Sequence, residues 1–188
     1  NILQNCRNEL YLDFPYLDGA FAGLEYKADS NISTIGTDGE KIYFNPQFLM
    51  EKYVEDPAAL RRGYLHILLH CLYLHVFLTP QGSEVSAEAV ERNEWDRECD
   101  RFVENLIEKA VREKKIQSLD RRVSDFSEKD NHFDDHSIWR IHRGFSSDSK
   151  RNREKWEHIL AYTSQNKNGS QGKAGSRSDN RQEELDEI

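Results

Sequence analysis

The 188-residue chain is 37% hydrophobic and 32% charged, with a formal net charge of −8. That length supports one domain with a core and leaves two tight, while the acidic balance argues against a nucleic-acid partner, whose binders show a basic face. No basic amphipathic stretch or long apolar run points to a membrane, and no signal-peptide pattern follows Asn1, which reads as the start of a fragment of a longer chain.

Apolar residues at Ile2, Leu3, Cys6 and Leu10 space out a helix over Asn1–Leu12. Pro15 opens a short second helix through Phe21–Leu24. From Thr34 to Pro46 the chain reads T-I-G-T-D-G-E-K-I-Y-F-N-P. There Asp38-Gly39 signals a hairpin turn between two antiparallel strands, and Leu24–Ala28 offers a third. Pro46 starts a helix through Tyr53, Asp56-Pro57 starts a long central one, and a further helix spans Ala87–Lys114, with Cys99, Phe102, Val103 and Ile107 on its buried side. This order predicts an α+β fold, mostly helical, with a small antiparallel sheet packed beside the central helix.

After Ser118 the apolar residues thin out. Ser124–Asp135 reads as an acidic loop, Lys150–Tyr162 as a last helix, and Ser164–Ser178 as a flexible linker towards a further domain. The expected organisation is one domain over residues 1–162, compact to about residue 117, with a polar tail over 163–188. Three cysteines at irregular spacing, Cys6, Cys71 and Cys99, predict reduced thiols and a cytoplasmic setting. They read as small buried hydrophobes, although Cys71 beside His70 and Cys99 beside Asp100 keep a thiolate ligand open.

The central helix carries the chemistry. Arg62–Leu78 reads R-G-Y-L-H-I-L-L-H-C-L-Y-L-H-V-F-L, and from Tyr64 onwards every residue is apolar or aromatic except His66, His70 and His75. A helix apolar all round belongs inside a domain. His66 and His70, four residues apart, lie roughly 40° apart on one face. An unsatisfied buried polar group costs about 1–3 kcal/mol, and a divalent metal satisfies two imidazoles at once. Hydrogen bonds within the core are the other solution.

Zinc held by two histidines needs a third protein ligand. His75 is about 180° from His66 around a straight helix and joins only if the helix breaks. The stretch Asn93–Asp100, N-E-W-D-R-E-C-D, offers Glu94, Asp96, Glu98 and Asp100. Asp100, beside Cys99 and near Val103, is the preferred ligand, against the reading of all four as a solvated face. His132 and His136 form a second pair in the acidic loop; His136 is a further candidate ligand with Asp135 behind it, or else a surface residue, and His142 and His158 read as surface. The zinc-protease pattern H-E-x-x-H has its general base after the first histidine, where this chain has Ile67. A base must then come from elsewhere, with Glu94 and Glu98 nearest in sequence.

Taken in order, R-N-E-L-Y-L, T-D-G-E-K-I-Y-F-N-P, L-H-I-L-L-H-C-L-Y-L-H and W-D-R-E-C-D resemble one family. It is the bacterial metallopeptidase-like domain found in front of a von Willebrand factor type A-like domain. The resemblance covers about Asn1–Ala110 and extends loosely, through D-D-H-S-I-W, to Trp139. It implies a zincin-like fold in which an edge strand at Lys41–Asn45, with Ile42, Tyr43 and Phe44, holds substrate backbone. It implies one zinc ion on His66 and His70, with Asp100 as the acidic residue of a stretch that reads Trp-Asn-x-Ala-x-Asp in the family; Asp96 and Glu98 make that stretch more acidic here. It further implies a C-terminal von Willebrand type A-like domain and a MoxR-type AAA ATPase as partners. The function expected is a zinc-binding metallopeptidase-like domain for peptide or protein substrates, degenerate in catalysis because Ile67 replaces the base. The alternative is a non-catalytic interaction or scaffold module working with those same partners.

Overall fold

Two Asx-Pro pairs set the helices that frame the molecule. Asn45 accepts hydrogen bonds from the Gln47 and Phe48 amides at 2.9 and 3.2 Å, and Asp56 from those of Ala58 and Ala59 at 3.0 Å each. In each case a proline follows at the first helical position, where its missing N–H and fixed φ cost nothing. The structure, a computed structural model, describes residues 2–77, 85–114, 116, 119, 139–141 and 149–173. In chain order these form α1 (Ile2–Asp13), a 3₁₀ turn (Pro15–Leu17), α2 (Asp18–Phe21), β1 (Glu25–Ala28), β2 (Ile35–Thr37), β3 (Lys41–Phe44), α3 (Pro46–Glu55), α4 (Pro57–Leu72), α5 (Val85–Lys114), β4 (Trp139–Ile141) and α6 (Ser149–Lys173).

The fold is α+β and mostly helical, as the element order predicts. α4 is its centre: Leu60, Tyr64, Leu65, Leu68 and Cys71 are buried and join one core with Leu3 and Leu10 of α1, Ile35 and Ile42 of the sheet, and Val103 and Ile107 of α5. No described helix is long and apolar enough to cross a membrane.

The sheet departs from the expected antiparallel one. Its order is β1-β3-β2-β4; only β2–β3 is antiparallel, while β1–β3 and β2–β4 are parallel. The hairpin turn acts locally, whereas parallel partners arrive through long connections whose pairing no turn residue specifies. A second correction follows. β3 lies between β1 and β2, with Ile42 opposite Tyr26 on one side and Thr37 on the other, so it is not an edge strand. Ile42 is in the core and the Tyr43 hydroxyl donates to Asp38 Oδ2 at 2.9 Å. Phe44 packs against the core. These three side chains build the sheet and leave no free edge on β3 for a peptide.

The turn itself is tightly determined. Asp38 Oδ1 accepts from the Glu40 and Lys41 amides, both at 2.8 Å, and Gly39 holds φ 85° with the Phe77 ring where a Cβ would stand. Only glycine meets both demands.

Among the described residues of the rear, α6 is better packed than its composition suggests. α6 runs through residues 164–173, where a linker is expected, and carries Trp156 into the core of the front portion. The fully buried indole donates from Nε1 to the Gly39 carbonyl at 2.6 Å, which ties α6 to the hairpin turn. One large apolar anchor outweighs a polar average. Trp156→Ala should therefore destabilise the whole chain by about 3–5 kcal/mol in urea unfolding. A loss below about 0.5 kcal/mol, the range of surface substitutions, would show that α6 is not part of the core.

Candidate metal centre

α4 and α5 meet along a seam of two matched stripes. Arg62, His66 and His70 recur every fourth residue on α4, and Asp100, Glu104 and Glu108 do the same on α5. The contacts run in opposite senses along the two helices: Arg62 meets Glu104 and Glu108, His66 meets Glu104 and Asp100, and His70 meets Asp100. Beside the acidic stripe, one position earlier on α5, Cys99, Val103 and Ile107 are buried. The seam is thus polar along one line and apolar along its neighbour.

Three atoms converge at its inner end. His66 Nε2 and His70 Nε2 are 2.9 Å apart, and Asp100 Oδ1 lies 3.5 Å from the first and 3.0 Å from the second. Tetrahedral bonds of about 2.0–2.1 Å require ligand atoms roughly 3.3 Å apart, and six-coordinate bonds of similar length require about 3.0 Å. The triangle therefore matches a first-row divalent ion of either geometry. Two imidazoles and one carboxylate suit such ions better than calcium or magnesium, which take oxygen ligands. Charge agrees: Arg62 pairs with Glu104 and Glu108, while the Asp100 carboxylate faces the two imidazoles with no cation of its own among these contacts. His66, His70 and Asp100 are the group that could hold a metal ion among the described residues.

Each imidazole is also held from behind. His66 Nδ1 lies 2.8 Å from Glu104 Oε1. The other oxygen of that carboxylate accepts from Arg62 Nε at 3.1 Å and Nη2 at 2.6 Å, and Nη2 also donates to Glu108 Oε1 at 2.6 Å. His70 Nδ1 lies 3.2 Å from His75 Nδ1. His75 reaches it because α4 stops at Leu72. Leu74 takes the left-handed conformation at φ 63°, the His75 amide donates to the His70 carbonyl at 2.9 Å, and the Leu74 amide donates to the Cys71 carbonyl at 3.1 Å. These paired bonds define a left-handed helix stop, which brings the residues before and after it side by side. The break that His75 needed is present, but its ring meets the nitrogen of His70 that faces away from Asp100. His75 backs a ligand rather than joining the triangle.

Protonation follows from this geometry. Burial by itself lowers His66, but hydrogen bonds and charge from Asp100 and Glu104 outweigh it and raise the ring above its ordinary value. His70 is pulled down to about 4 by burial, with the neighbouring rings adding to the effect. Two Nε2 atoms at 2.9 Å cannot both carry a proton, so one of the two rings presents a lone pair to the other. Burial alone would raise the carboxylates. The His66 and Arg62 contacts instead hold Glu104 at about 2, and the two histidines hold Asp100 well below the usual carboxylate range.

Other expected site residues stand elsewhere. Glu98 is exposed, two positions and so about 200° from Asp100 around α5, and pairs with Arg101 on the outer face. Glu94 is exposed and about 120° away from the Asp100 direction. Neither is brought to the triangle, so neither is placed to act as its base. Ile67 is buried in the core. Cys6, Cys71 and Cys99 are buried, form no disulfide and stand outside the ligand group, and burial pushes the Cys71 thiol up to about 12. Phe102, expected inside, is 44% exposed and edge-on to Tyr73 and His75. His158 is exposed, as expected, while His132, His136 and His142 lie outside the described residues. Sequence reading missed Glu104, Arg62 and Glu108. Their signal was the four-residue spacing that continues each stripe.

His70 and Glu104 have ordinary values of 6.5 and 4.5 and values of about 4 and about 2 in the fold. A group lowered by folding stabilises the fold above its unfolded value, and that contribution is lost as pH falls through the folded value. His66 acts in the opposite sense: its contribution is present below 6.5 and fades as pH rises through its raised value. The metal-free chain should therefore lose stability on acidification from 6.5 towards 2, read as a falling urea midpoint in chelator-containing buffer. A midpoint flat across that range would contradict these contacts. Comparison with protein-family models, with curated proteins and with solved structures gives no match for this chain.

Proposed function

We propose that this chain is a zinc-binding, zincin-like domain whose peptidase chemistry is degenerate. The triangle of His66 Nε2, His70 Nε2 and Asp100 Oδ1 carries the reading: two buried imidazoles and one partly buried carboxylate with spacings that suit zinc. Bound there, zinc supplies Lewis-acid polarisation of a carbonyl and activation of water. The rest falls to the chain. Asp100 and the two imidazoles would hold the ion, Glu104 and His75 support the rings, and buried Ile67 leaves an apolar side chain where hydrolytic zincins have a base. Glu104 does not substitute, since one oxygen meets His66 and the other Arg62. The loss of a positioned base typically costs 10²–10⁴ in rate, so weak hydrolysis of peptides is expected.

A second reading, a non-catalytic interaction or scaffold module with a structural metal, draws on the same gap and on β3, which is paired on both sides. In either case we take a von Willebrand type A-like domain and a MoxR-type AAA ATPase as the working partners, on the sequence resemblance alone.

The purified, tag-free chain should contain about one equivalent of zinc by elemental mass spectrometry after equilibration with the ion, and the His66→Ala, His70→Ala double variant should contain none. A metal-free wild-type chain would overturn the reading. Ile67→Glu separates the two readings: gain of peptide hydrolysis supports the degenerate peptidase, whereas a folded, zinc-loaded and inert variant supports the module.

A further inference from the structure

We infer that Glu104, held by Arg62, is a positioning residue that locks the ring of His66 with its Nε2 lone pair towards Asp100 and His70. This inference rests on the metal-binding reading. Neutral histidine has two tautomers, and only the one protonated at Nδ1 presents a lone pair at Nε2. A carboxylate oxygen accepts and does not donate, so Glu104 Oε1 at 2.8 Å from Nδ1 requires the proton there. Nε2 is left to face His70 and Asp100.

The carboxylate is itself immobilised. Arg62 grips the second oxygen through two nitrogens, and one of these also spans to Glu108. The guanidinium is buried, so the clamp has little freedom to swing into water. Both oxygens of Glu104 are used in this way, which separates its role from that of a ligand or a base. His70 is supported differently: its Nδ1 meets Nδ1 of His75, a ring nitrogen that can either donate or accept. The site thus has one imidazole of determined tautomer and one that adapts. Glu104 and Arg62 form the half that is ready before an ion arrives.

The test uses the full chain as wild type, Glu104→Leu and Glu104→Gln. Two quantities are read: zinc affinity by competition with a chromophoric chelator, and the His66 tautomer in the metal-free state, at a pH where the ring is neutral, by nitrogen-15 imidazole NMR. Wild type should show a proton on Nδ1. Glu104→Leu should lose that preference and bind zinc about 10- to 100-fold more weakly. Glu104→Gln, which keeps an acceptor oxygen, should restore the tautomer and part of the affinity. A purely structural role for Glu104 would leave the tautomer unchanged. Equal zinc affinity in wild type and both variants, or a wild-type His66 protonated at Nε2 alone, overturns this inference and leaves the metal site standing. No zinc in wild type overturns both. If Glu104→Leu fails to fold, the Glu104→Gln tautomer and affinity decide.

Discussion

Every nitrogen of an imidazole buried between two helices needs a partner, and His66 and His70 together present four. That demand determines how α4 and α5 meet. A shift of one residue along α5 would rotate its carboxylates by about 100°, away from the histidines. A shift of a whole turn would pair His66 with the wrong acid and leave Arg62 or His70 alone. The interface tolerates one register, and in that register three acceptor atoms point at a common centre.

Such a seam is not a cheap source of stability. Charges withdrawn from water lose several kcal/mol each, and a buried pair recovers this only with close geometry and every hydrogen bond made. Arg62 supplies close geometry through Nε and Nη2 to Glu104 and Glu108. The apolar line formed by Cys99, Val103 and Ile107 contributes the burial, and the polar line beside it selects the register. The two histidines shift in opposite directions because two carboxylates outweigh burial at His66, whereas burial prevails at His70.

The end of α4 shows the same bias from another side. A leucine in the left-handed region costs roughly 1–2 kcal/mol, and glycine is the usual residue there. Leu74 accepts that conformation at φ 63° while packing against the core, and the turn it makes delivers His75 to His70. At the opposite pole, Gly39 answers a positive φ in the ordinary way, because the Phe77 ring leaves no room for a side chain. Strain is accepted beside the candidate metal centre and avoided at the hairpin.

The sequence by itself determined what depends on neighbours within a few residues: the Asn45-Pro46 and Asp56-Pro57 helix starts, the Asp38-Gly39 turn, and the pairing of His66 with His70 on one face. It also pointed to Asp100, because Cys99 and Val103 mark the buried side of α5. Only the tertiary structure decided which nitrogen each ring presents, that Glu104 and Arg62 stand behind His66, and that Glu98 faces solvent with Arg101. It alone decided that β3 is internal and that Trp156 closes the core from α6. The reason is physical. Periodicity and capping reveal a helix and its faces, but the rotation and register of one helix against another arise from contacts 40 or more residues apart, as between Arg62 and Glu104 or Glu108.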